Sequence, residues 1–202
     1  RTDIPLRLRI EAIGYRTQTG PEFRVGDDTS RTQNFLMQPS KPVTGIVLDA
    51  AGKPVTGAAV LVATPTEWAN IGGKNDDMPN GHQVSTDAAG RFELPDSGEP
   101  FIVLAQADAG FAMADFATDQ HDVGTLRLQP WALVRGQFYD GGQPVKGARI
   151  RLDLVQLENP DRPRVETTRL QVATDKDGRF EFPRVPPLPV DVRVLLGPWR
   201  DE

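Results

Sequence analysis

Thr86-Asp-Ala-Ala-Gly90-Arg-Phe92-Glu-Leu94 and Thr174-Asp-Lys-Asp-Gly178-Arg-Phe180-Glu-Phe182 are two copies of one string, matching at six of nine positions and each followed by a proline. In both copies Asp and Gly fall at the first and fourth places of a four-residue turn. Asp accepts from the turn's own backbone amides and Gly relieves the exit geometry. The residues that follow alternate charged with aromatic or aliphatic groups, the period of a half-buried strand. Phe92 and Phe180 are therefore predicted to face a core. The copies lie 88 residues apart, about the length of one small domain, so the chain reads as an array of similar modules.

The repeat extends upstream. Val43-Thr-Gly45-Ile-Val-Leu-Asp49 followed by Gly52-Lys-Pro54-Val55-Thr-Gly57-Ala58 parallels Val134-Arg-Gly136-Gln-Phe-Tyr-Asp140 followed by Gly142-Gln-Pro144-Val145-Lys-Gly147-Ala148. Each reads as a strand, a turn marked by Asp and Gly, and a second strand opened by Pro-Val, a place where proline is tolerated. Further strands are expected at Phe101–Gln106, Gly124–Leu128 and Val190–Leu196. Inward residues would include Val47, Val60, Val103, Ile150 and Val192. Leu6-Arg-Leu-Arg-Ile10 also alternates, Gly14-Tyr15 parallels Gly110-Phe111, and Phe35 to Pro39 parallels Leu126 to Pro130. The opening residues thus resemble the second half of a third copy. No sustained helical period occurs, so the fold class is all-β.

Composition narrows the function classes. Of the 202 residues 18 are proline and 19 glycine, while charged residues make up 25% and hydrophobic residues 38%, which fits many short strands joined by turns. The net charge of −5 and the lack of a basic run argue against nucleic acid as a partner. With no cysteine, disulfide and thiolate chemistry are excluded. No apolar run approaches the roughly 18 residues of a spanning helix. A first residue of Arg1 suggests a fragment or processed product, and unpaired edges would lead an array to continue on both sides.

The motifs G-x-V-x-D-x-x-G-x-P-V-x-G-A in Gly45–Ala58, T-D-x-x-G-x-F in Thr86–Phe92 and the late Gly110-Phe111 resemble the carboxypeptidase regulatory-like domain family. That resemblance covers about four fifths of the chain and implies tandem Greek-key β-sandwiches of the prealbumin-like (transthyretin-like) kind. The expected units are the second half of a repeat at 1–41, a complete sandwich at 42–131 and a second sandwich at 132–202 without its last strand. The resemblance further implies a non-catalytic module of large bacterial multidomain proteins, hence a secreted, periplasmic or cell-surface location.

Catalytic readings find little support. A zinc peptidase needs two histidines and a carboxylate on one metal, whereas His82 and His121 lie in different loops and read as exposed loop residues. A ring-opening hydrolase on the same fold relies on a tyrosine-arginine-glycine-serine tail, and this chain ends Trp199-Arg-Asp-Glu202. A lysine–asparagine crosslink would need lysine in the first strand, where Ile46-Val-Leu48 and Gln137-Phe-Tyr139 stand. No enzyme, metal or cofactor is expected. The unusual segment is Pro65–His82, read as one long polar loop. Trp68, Asn75, Asp76, Asp77 and His82 there could hold calcium or stack on a sugar, although a solvated turn has the same composition. Trp131 falls between the repeats, where a linker of roughly Gln129–Leu133 should restrain their orientation. The expected function is a spacer or scaffold whose partners are neighbouring domains or other subunits. The alternatives are glycan or calcium binding by the 65–82 loop and subunit assembly through open sheet edges.

Overall fold

The computed structural model describes residues 5–24, 32–71, 82–155, 163–167 and 170–195. Among them the secondary structure is entirely β. Two short antiparallel pairs open the chain, β1 (Pro5–Leu6) with β4 (Phe23–Arg24) and β2 (Arg9–Ile10) with β3 (Gln18–Thr19). Strands β5 (Val43–Leu48), β6 (Ala59–Ala63), β7 (Ala69–Ile71), β8 (Gln83–Ser85), β9 (Arg91–Leu94), β10 (Phe101–Ala107), β11 (Gly110–Phe116) and β12 (Asp122–Arg127) follow, and all but β7 form a two-sheet sandwich. Its sheets run β11-β10-β6-β8 and β12-β5-β9, with β12 parallel to β5. Val47, Val60, Phe92, Leu94, Val103 and Leu126 fill the space between them.

The second β unit comprises β13 (Ala132–Gln137), β14 (Tyr139–Asp140), β15 (Gln143–Pro144), β16 (Arg149–Leu154), β17 (Val165–Thr167), β18 (Gln171–Ala173), β19 (Arg179–Val185) and β20 (Val190–Leu195). It pairs β13 with β19 and orders β18-β16-β20, around a smaller core of Ile150, Leu152, Phe182 and Val185.

The duplicated string is a turn that is also a latch. Asp87 accepts from the amides of Ala89 and Arg91 at 2.8 Å, and Asp175 accepts identically from Asp177 and Arg179. The buried Thr86 hydroxyl donates to Val55 O at 2.6 Å and accepts from Ala58 N at 2.8 Å, tying the turn to the Pro-Val segment. Thr174 repeats both bonds with Val145 and Ala148. Gly90 sits at φ +74, and a Cβ there would lie 2.6 Å from Val47 O, so the turn admits no side chain. The Phe92 ring lies over its cross-strand partner Gly45, as Phe180 lies over Gly136. The paired glycine of each repeat is the seat of the paired phenylalanine.

Several sequence expectations are corrected. Pro54 and Pro144 do not open the long second strands. Pro54 bridges back to Leu48 and Pro144 lies in β15, and β6 and β16 start five residues further on, at Ala59 and Arg149. Phe180 does face the second core as expected, though it is half-buried. Val192 is 49% exposed whereas its counterpart Val103 is fully buried. Both pair with a buried residue, Leu152 and Val62 respectively. The difference is cover: β11 flanks β10 and the Phe116 ring stacks on Phe101 at 5.4 Å, but among the described residues no strand flanks β20 on its outer edge. Finally, Ala69–Ile71, inside the segment read as a loop, is a wholly buried strand.

Candidate functional site

β7 exists because of the second unit. Its pairing partner is β17, parallel and in register from Ala69↔Val165 to Ile71↔Thr167, and Ala69 N donates to Arg164 O at 3.1 Å. The outer face of the sandwich sheet joins in: Leu61, Ala63, Ile102, Leu104 and Phe111 pack with Val165, and Trp131, Leu154 and Leu188 close over them. Both faces of β6 and β10 are therefore buried. An unbroken apolar run, Phe101 to Ala105, announces a layer on each side. That signal was present in the sequence, and the alternation test alone overlooks it.

Trp131 is the centre of this joint. Its ring centroid is 5.6 Å from that of Phe111, and its indole N–H donates to Ala107 O at 2.8 Å. The Arg184 guanidinium stacks on the indole at 4.6 Å while donating to Ala107 O and to the Asp108 carboxylate, each at 2.9 Å. Cation–π contact, hydrogen bonds and burial thus converge on a linker too short to swing.

A second joint ties the N-terminal segment to the sandwich. Buried Asp96 accepts from Arg16 Nε at 3.0 Å, from the Ser40 hydroxyl at 2.5 Å and from Gly98 N at 2.9 Å. Its carbonyl accepts from Thr17 N at 2.7 Å. Arg16 also reaches Asp119 at 2.6 Å, a non-glycine residue held at φ +65.

The sequence-predicted site residues divide between the two ends of their segment. Trp68 is 43% exposed. His82 is half-buried, not exposed, because its Nδ1 is hydrogen-bonded to Glu11 at 2.8 Å. Asn75, Asp76 and Asp77 lie outside the described residues. A polar chain joins the two ends: an ion pair from Glu67 to Arg9 at 2.8 Å, another from Arg9 to Glu11 at 2.6 Å, then the hydrogen bond between Glu11 and His82. His121 is likewise half-buried. Among the described residues no group of three or more His, Asp or Glu side chains is placed to hold a metal ion, and none of the described elements is a helix long and apolar enough to cross a membrane.

The carboxylates of these contacts are shifted. The bond from His82 holds Glu11 below its ordinary value, Arg9 adding to it against the cost of burial. Burial pushes Asp96 up, but the bonds from Ser40, Gly98 and Arg16 together outweigh it and hold the group low. Burial pushes Glu67 the other way, upward, with Arg9 opposing. A carboxylate lowered on folding stabilises above its unfolded value and loses that contribution as pH falls through the lowered one. Glu67 works in the opposite sense and offsets part of the loss. The N-terminal segment should therefore stay docked at neutral pH and release below about pH 4. NMR shifts of the Arg16 and Thr17 amides followed against pH check this, and release already above the ordinary carboxylate range of about 4 would contradict it.

No protein-family model and no curated protein matches this chain. Among solved structures, a streptococcal ancillary pilin is similar at TM-score 0.41 and 15% identity, over 98% of this chain and 68% of that one. The Bacillus anthracis TIE protein is similar at TM-score 0.26 and 13% identity, over 89% of this chain and 34% of that one. At such scores neither likeness says what this chain binds or where it works.

Proposed function

We propose that this chain is a non-enzymatic structural and interaction segment, a stiff spacer or scaffold within a larger secreted or cell-surface protein of the carboxypeptidase regulatory-like kind. Its units are the half repeat at 1–41, the sandwich at 42–131 and the second sandwich at 132–202. The observation that carries this reading is the joint at Trp131, where an apolar layer and the β7–β17 ladder hold the two units against each other. Inter-domain contacts usually leave room for relative motion unless they are large and hydrophobic. Here the contact contributes strand pairing as well as burial. Nitrogen-15 relaxation tests it: a spacer of this build gives one tumbling time shared by the amides of 43–127 and 132–195, and two shorter, independent times would refute it.

A second reading is a binding loop at 65–82, favoured by the exposed indole of Trp68 beside the polar chain. Thermal melting with calcium and with EDTA, and a glycan panel on the wild type and Trp68→Ala, decide it. No response in either assay retires the loop as a ligand site.

A further inference from the structure

In both joints the following unit uses the same two repeat positions, with opposite charge, although the hairpin residues they meet, Arg16 and Asp108, stand at different positions of their own repeats. Gln38-Pro-Ser40 and Gln129-Pro-Trp131 match, each lying five residues before the glycine under its phenylalanine, Gly45 or Gly136. Leu94-Pro-Asp96 and Phe182-Pro-Arg184 match at the end of the duplicated string. In the first joint the matched pair Ser40 and Asp96 are in contact, and Asp96 accepts from Arg16 in the hairpin of the preceding unit. In the second the matched pair Trp131 and Arg184 are in contact, and Arg184 donates to Asp108 and Ala107 O in the hairpin of the preceding unit. An acid meeting a base at one joint is a base meeting an acid at the next.

We propose that the residue at this position, Asp96 or Arg184, is the key by which each unit selects the unit packed before it, so that like-charge contact rejects the wrong neighbour. This deepens the spacer reading and rests on it. Unpaired charge at a contact is the usual device for rejecting an otherwise compatible partner. The partner recognised is another module of this same kind, identified by the sign at its β10–β11-type hairpin and by Ser or Trp at its exit. Stacking and a shared carbonyl strengthen the second key, while burial of Asp96 strengthens the first.

The test reads the β7 amides, whose pairing partner β17 lies across the joint. In the full chain Arg184→Asp places two acids together, and hydrogen exchange at Ala69–Ile71 should accelerate by about tenfold as the joint opens. Exchange of Val47 N, bonded to Gly90 O inside the sandwich, should stay unchanged, which separates an open joint from an unfolded core. Adding Asp108→Arg and Trp131→Ser restores an opposite-charge pair with the sign reversed and should restore most of the protection. Unchanged exchange in Arg184→Asp, or a triple variant no better protected than the single one, would overturn the key. If the wild-type β7 amides already exchange freely, the stiff joint fails and the key fails with it.

Discussion

Truncating Phe92 to alanine should destabilise the sandwich by about 3–5 kcal/mol. The ring is 4% exposed, fills the gap over Gly45 and stands against Val123, whose Cγ2 approaches the same glycine. Glycine cannot expand into the space, and the flanking Val43, Val47 and Leu94 are already enclosed. Relaxation around the cavity is therefore limited, the condition under which large-to-small substitutions cost most. The equivalent Phe180→Ala should cost less, because that ring is half-buried and forms an edge contact with Phe182 at 6.1 Å. Denaturant midpoints of the two variants check the ordering. Equal losses would mean that the second core is as closed as the first.

Removing Trp131 should uncouple the two units more than it weakens either. In Trp131→Ala the indole contact with Phe111, the stacking of Arg184 and one bond to Ala107 O all disappear. A half-buried tryptophan with a cation on its face contributes about 2–3 kcal/mol in such a place. The Val47 and Ile150 cores remain intact. Calorimetry should show one cooperative transition in the wild type and two in the variant, the first at lower temperature. A single transition at an unchanged temperature would place the coupling elsewhere in the joint.

What the sequence discloses here is local. The turn at Asp87 and Gly90 is legible because its hydrogen bonds close within five residues, and Phe92 because alternation marks its face. The fold class and the long strands followed from the same short-range rules. Ala69–Ile71 was not legible: three residues with Asn70 in the middle have no period, and the strand is made by Val165–Thr167 almost a hundred residues away. Nothing in the string marks Thr86 as a latch, because its hydroxyl reaches back to Val55. The exposure of Val192 reflects the lack, among the described residues, of a strand flanking β20, which alternation within its own strand cannot report.

The candidate loop shows the same limit. Trp68 and His82 drew attention by composition, yet the link between the two ends of the segment is supplied by Arg9 and Glu11 from the opening strands. A hydrogen bond between side chains 71 residues apart leaves no mark in either stretch. The repeat comparison does reveal the joints, because residues that break the shared pattern, Asp96 against Arg184 and Ser40 against Trp131, are the ones in contact between units. Variation between copies of a repeat points to its interfaces.

A single distance reads the stiffness of the Trp131 joint. The chain has no cysteine, so spin labels at Lys53→Cys and Lys176→Cys, both exposed and one in each unit, report without further substitution. Double electron–electron resonance should give one narrow distance distribution. A broad distribution would instead show two units on a loose tether.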